Sequence, residues 1–142
     1  MAVFYFHILL CIAMTATVWF MQVVHYPLTA YVQPEKWAAY TEKRRMWTMM
    51  LTYPLMAFEV LTGFTLLLLA TQSPAYPYLA VSLAVLAVTL LFTLMYLDPL
   101  LKRMTGPADE HTLRRFLRMH RIRTAAYSLR LLLFILVLLA SA

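Results

Sequence analysis

The sequence predicts an all-α membrane protein: four transmembrane helices in one antiparallel bundle, both termini outside, the last helix extended into the cytoplasm. Three observations carry this. The chain of 142 residues is 63% apolar and 13% charged, a balance too apolar for an ordinary soluble domain. Its apolar residues gather in four stretches of roughly membrane-span length. Eleven of the twelve Lys and Arg residues lie in two of the connections between those stretches.

The first span is read at residues 3–26, ended by Pro27. No basic segment precedes it and its length is that of a span, so it is expected to be retained and not cleaved as a leader. The second span covers 46–70 and the third 78–97, closed by Asp98-Pro99. Between them, residues 71–77 hold two prolines and no charge and read as a short turn. Gly106-Pro107-Ala108-Asp109-Glu110 has the turn formers and first-turn acids of a helix start. From there a basic extension at 109–123 runs directly into the fourth span at 124–140. There are no internal repeats, and residues 1–142 form one domain.

Four spans place the connections 32–45 and 98–123 on one side. By the positive-inside rule that side is cytoplasmic, and a bacterial inner-membrane location with both termini external follows. Trp37, Tyr40 and Trp47 at the basic edge, and Tyr76 and Tyr78 at the other, fit interfacial belts. The formal net charge of +6 therefore marks topology and not a nucleic-acid surface. Its expected partners are the bilayer and anionic lipid headgroups, met by Arg114, Arg115, Arg118 and Arg121. A single cysteine, Cys11, excludes an internal disulfide or a CxxC pair and reads as a small hydrophobe.

Polar groups inside spans are costly and tend to face the bundle interior. Each span has a stripe of them. The first offers Thr15, Gln22 and His25 around Trp19; the second Thr48, Thr52 and Glu59, then Gly63. The third offers Thr89, Thr93 and Tyr96, and the fourth helix His120, Arg123, Tyr127 and Arg130. Helical rise puts Glu59 near mid-membrane, where a lone ionised carboxylate would be expected to take up a proton. Arg130 enters from the same side, so a Glu59–Arg130 pair is expected, serving either helix register or a ligand. Gln22, His25, Glu59, Tyr96, His120, Arg123, Tyr127 and Arg130 are thus the candidates for a polar pocket open to the cytoplasm. Two arginines there favour a carboxylate or phosphate, and Glu59 with His25 or His120 could relay protons.

No cofactor is implied by spacing. His25 and His120 at one level could ligate haem, or join Glu59 around a metal, yet no HxxH, HxxxH or ExxH pattern supports either. His7 is expected on the external side, away from any such site, and His111 in solvent. The ten methionines are spread along the spans and read as packing filler. Pro54 is expected to kink the second span.

Val18-Trp-Phe, Glu42-Lys-Arg, Pro54, Gly63 and Leu101-Lys-Arg-Met-Thr-Gly resemble the layout of HemJ-type protoporphyrinogen oxidases, small four-span bacterial inner-membrane proteins. Ile12 and Val81 stand where that family has its histidine and its lysine. The resemblance therefore implies the four-span fold and not the haem-linked oxidation. Gln22-Val-Val-His-Tyr-Pro27 with Arg123-Thr-Ala-Ala-Tyr-Ser-Leu-Arg130 is also similar to an uncharacterised family of small bacterial membrane proteins.

The sequence admits three functional classes. A cationic intramembrane pocket would bind or transform a lipid-soluble or anionic small molecule or cofactor, as an enzyme or as a binding protein. An accessory subunit would pack against other membrane subunits, or its own copies, in a respiratory or photosynthetic complex. A small carrier is third, because the chain has no inverted repeat and only two glycines.

Overall fold

Prolines shape the basic end of the molecule. In the computed structural model, which describes residues 2–104, 106 and 109–141 (139–141 by backbone alone), α1 spans Ala2–Phe20 and passes into a π-helical turn at Met21–His25. That turn closes with the Tyr26 amide donating to the Met21 carbonyl, and Pro27 follows at once. The same device recurs later. α3, Tyr76–Phe92, widens into a π turn at Thr93–Leu97, and Pro99 stands second in the short α4, Asp98–Lys102. A proline has no amide to donate and its ring crowds the carbonyl four residues back. A widened turn just before it relieves both conditions without ending the helix.

The predicted boundaries shift accordingly. Pro27 does not end the first helical run, which continues as a 3-10 turn through Tyr31. Asp98-Pro99 does not close the third, which continues to Lys102. α2 begins at Trp37, well before the predicted residue 46, and runs unbroken through Pro54 to Leu69. Much of the charged connection at 32–45 is therefore helix. α5 covers Glu110–Ser141. The predicted start at 106–110 lies partly outside the described residues, but Asp109 caps the helix, its carboxylate accepting from the Thr112 amide at 3.1 Å.

No strand occurs among the described residues. Three helical runs, Ala2–Tyr31, Pro34–Leu69 and Tyr76–Lys102, are long and apolar enough to cross a membrane. α1 and α3 each pack on both α2 and α5, which gives a four-cornered bundle. Its core is layered. Ile8, Cys11, Leu66, Leu79 and Phe134 fill one end. Met14, Val18, Leu86 and Tyr127 fill the middle, and Met21, Tyr26, Leu97, Leu100 and Phe116 the basic end. The outward faces are apolar too: Trp47, Met50, Phe58, Leu61, Phe64 and Leu68 of α2 are all exposed, the reverse of a soluble bundle.

Many threonines of the interior stripes satisfy themselves. Thr52, Thr89 and Thr93 each donate to the carbonyl four residues back along their own helical run. Such a hydroxyl lies in an apolar bundle without needing a neighbour. Thr15 does cross between helices, donating to the Tyr127 carbonyl at 3.4 Å.

Candidate functional site

Counting 3.6 residues per turn along α1 and α3 fails at the π turns, and this separates the predicted pocket residues. Each π turn adds a residue, which rotates the next stretch of helix by roughly a third of a turn. Tyr96 consequently leaves the interior stripe of Thr89 and Thr93. It is exposed, stacks on Phe92 and accepts a bond from Arg115. His25 sits half-buried in a shallow groove with Tyr31, Lys36, Tyr40 and Arg44, apart from Gln22.

Four of the remaining candidates fall into two separate groups. The first is a closed cluster in the bundle. Arg130 Nη1 lies 2.6 Å from Glu59 Oε1, and the two residues are 1% and 0% exposed. Arg130 Nε donates to the carbonyl and hydroxyl oxygens of Ser82 at 3.2 and 3.4 Å. The Cys11 thiol donates to Glu59 Oε1 at 3.3 Å and accepts from Arg130 Nη2 at 3.9 Å. His7 joins this cluster, contrary to the expectation that it stands apart. Its Nε2 is 3.6 Å from Cys11 Sγ and its Nδ1 is 2.6 Å from the Thr62 hydroxyl. The antiparallel crossing of α1 and α2 brings the start of the first toward the later turns of the second. Cys11 is therefore a bonded member of this cluster as well as an apolar filler.

The second group is Gln22 and His120. His120 is wholly buried, its ring packed on Tyr26 and Phe116, and its Nδ1 is 2.8 Å from Gln22 Oε1. The Gln22 amide in turn donates to the Leu117 carbonyl. This arrangement holds the first π turn to α5 through the side chains.

His120 precedes the predicted fourth span, and burial, followed by the charge of Arg123, lowers its pKa from the ordinary 6.5 to about 3. The unfolded chain therefore takes up this proton first as the pH falls. The contribution of His120 to stability is complete above about pH 6.5 and is lost progressively below it. Between pH 7 and pH 5 the loss should be about 2 kcal/mol. Thermal unfolding in detergent across that range checks it. The His120→Gln protein should show a flatter pH dependence, and an unchanged slope would sink the assignment.

Arg123 opens onto something different. With α2 on one side and the second π turn, α4 and α5 on the other, it lines a cavity of about 640 Å³ at the basic end of the bundle. Arg44, Arg45, Thr48, Thr52, Asp98 and Lys102 supply its polar wall, and Met49, Met56 and Leu101 part of its apolar wall. Tyr26, just past the first π turn, also lines it. Of the two widened turns, the second borders this cavity directly, through Thr93 and Leu94. Of the eight predicted pocket residues, only Arg123 lines it. Tyr127 stands between the two regions, with the Arg123 and Arg130 guanidinium carbons 5.8 and 5.6 Å from its ring centroid.

Thr48 and Thr52 of the α2 wall were in the predicted stripe of the second span, but its arginines were missed because their charges were assigned to topology. Thr41, Arg44, Arg45, Thr48 and Thr52 recur at helical spacing on one face, which could have extended the helix, and its polar face, back across the connection. His25, Glu59 and His120 are not brought together, and no group of three potential metal ligands forms among the described residues. Compared with protein-family models, curated proteins and solved structures, the chain has no match.

Proposed function

We propose that this is a four-span protein of the bacterial inner membrane, α5 supplying the fourth span, whose cytoplasmic-side cavity binds an anionic amphiphile. The observation that carries the reading is the composition of the cavity wall. Arg44, Arg45, Lys102 and Arg123 meet Met49, Met56 and Leu94 around one space of about 640 Å³. That volume suits a small molecule or part of a lipid. Cations on one wall and thioethers and aliphatic carbons on the other suit a ligand with a charged head and an apolar body. The positive-inside rule places this end in the cytoplasm, together with the exposed Arg114, Arg115 and Arg118 of α5.

The closed cluster around Glu59 and Arg130 has a different role in this reading. Its two charges are paired with each other, with Glu59 Oε2 alone of their polar atoms left without a hydrogen-bond partner among the described residues, and it holds the helices in register beneath the cavity.

Native mass spectrometry of the protein released from mild detergent tests the reading. An anionic amphiphile should remain with the wild type and be depleted about 10-fold in Arg123→Gln, consistent with one buried charge-assisted contact. The unfolding midpoints should stay close. A wild type that carries no such ligand, and takes up none when one is supplied, would overturn the reading.

A further inference from the structure

The cavity is not uniformly cationic, and the difference narrows what it takes. Asp98 is paired with Lys102 at 3.4 Å, and both are substantially exposed. Arg44 and Arg123 are the reverse case. They are 9% and 6% exposed, line the same cavity, and form no ion pair among the described residues. Each is fixed over a tyrosine, Arg44 with its guanidinium carbon 5.5 Å from the Tyr40 centroid and Arg123 at 5.8 Å from that of Tyr127. Each also keeps a buried nitrogen, Arg44 Nη1 and Arg123 Nε, with no hydrogen-bond partner. A buried guanidinium is retained where an anion compensates it.

Two such groups on one cavity, held by rigid rings, call for an acceptor with several oxygens and more than one negative charge. The lining as a whole agrees: its four cations against Glu42 and Asp98 leave two positive charges. A carboxylate brings one negative charge and so does a phosphodiester. A phosphate monoester brings about 1.5 to 2 at neutral pH, and its three terminal oxygens match guanidinium donors. The remaining wall indicates where the rest of the molecule lies. Tyr53 and Leu94 line the cavity and are also exposed on the apolar flank of the bundle. The cavity therefore reaches that flank between α2 and the second π turn.

We infer that the ligand is a lipid with a terminal phosphate monoester, its headgroup between Arg44 and Arg123 and its chains leaving past Tyr53 and Leu94. The inference rests on the cavity reading above and adds the headgroup chemistry and the exit route.

The test measures binding to the full-length protein in neutral detergent of dioleoyl phosphatidate, dioleoyl phosphatidylglycerol, oleate and inorganic phosphate. Phosphatidate should bind at least about 10-fold more tightly than phosphatidylglycerol or oleate, the difference expected from one additional charge-assisted contact. Arg44→Gln and Arg123→Gln should each abolish that preference. Arg118→Gln, on the exposed face of α5, should retain it, which separates the cavity from general attraction to a basic surface. The lysine variants Arg44→Lys and Arg123→Lys keep the charge and lose the two-pronged donor, and should restore only part of the preference. Equal binding of the three lipids with loss in Arg123→Gln would overturn the phosphate inference and leave the cavity reading standing. Inorganic phosphate binding as tightly as phosphatidate would mark a free-phosphate site and overturn the lipid part. No binding by any probe would overturn both. A preference that survives in both glutamine variants would place the headgroup elsewhere.

Discussion

Replacing Glu59 by Leu, or Arg130 by Met, should each destabilise the protein by about 3–5 kcal/mol, while the double replacement should recover most of that loss. Each single change leaves one buried charge without its opposite. Both residues are nearly inaccessible, so water cannot take the place of the missing partner. The double change removes both charges together and fills the space with side chains of similar length. Arg130 also donates to Ser82 and to Cys11. Those bonds add to the single-change cost at Arg130, and the Ser82 carbonyl lies within a helix whatever replaces the arginine. Unfolding of the four proteins in detergent, analysed as a double-mutant cycle, gives the coupling directly. Additive costs would mean that the 2.6 Å contact contributes nothing to stability.

The helices and their apolar faces were legible in the sequence because both are periodic properties of long runs. The pairing of Glu59 with Arg130 was legible for a related reason: a carboxylate and a guanidinium in apolar runs have few possible partners, and helical rise puts the two at similar depth. What could not be read was phase. The π turns at Met21–His25 and Thr93–Leu97 each insert a residue into an otherwise regular count. Tyr96 and His25, placed by that count, consequently turn away from the interior. Pro27 and Pro99 were visible as helix stops, but a proline read in isolation does not reveal whether the chain ends its helix or widens it. The cavity was obscured differently. Arg44 and Arg45 carry the charge asymmetry that indicates topology, and that reading leaves unasked whether either one faces inward.

The absence of such a phase shift in α5 connects the two polar regions to one another. α5 has no π turn among its described residues and keeps Arg123, Tyr127 and Arg130 on one face. Tyr127 lies against both guanidinium groups, so the helix that forms one wall of the cavity is the one anchored by Glu59. A ligand charge at Arg123 would therefore meet a wall whose position is already fixed. Preorganisation of that kind lowers the ordering cost of binding.

Gly63 is where the closed cluster has least room. A Cβ added there would lie 3.2 Å from His7 Cε1 and 3.4 Å from Leu83 Cδ1. His7 has little freedom to yield, being bonded to Thr62 at 2.6 Å and packed edge-on against Phe134 with ring centroids 4.9 Å apart. Gly63→Ala gains up to about 1 kcal/mol in helix propensity, and crowding against His7 should cancel that gain. Gly63→Leu adds three further carbons to the same space and should destabilise by about 3 kcal/mol, at the upper end of ordinary overpacking. Combining it with His7→Ala should restore part of the loss, because the imidazole is the obstacle. The outcome separates two functions of a glycine in α2. Destabilisation relieved by His7→Ala identifies close approach of α1 as its purpose. A Gly63→Leu protein as stable as the wild type would show that α1 and α2 can separate at this level without cost, which the bonded His7–Thr62 contact does not permit.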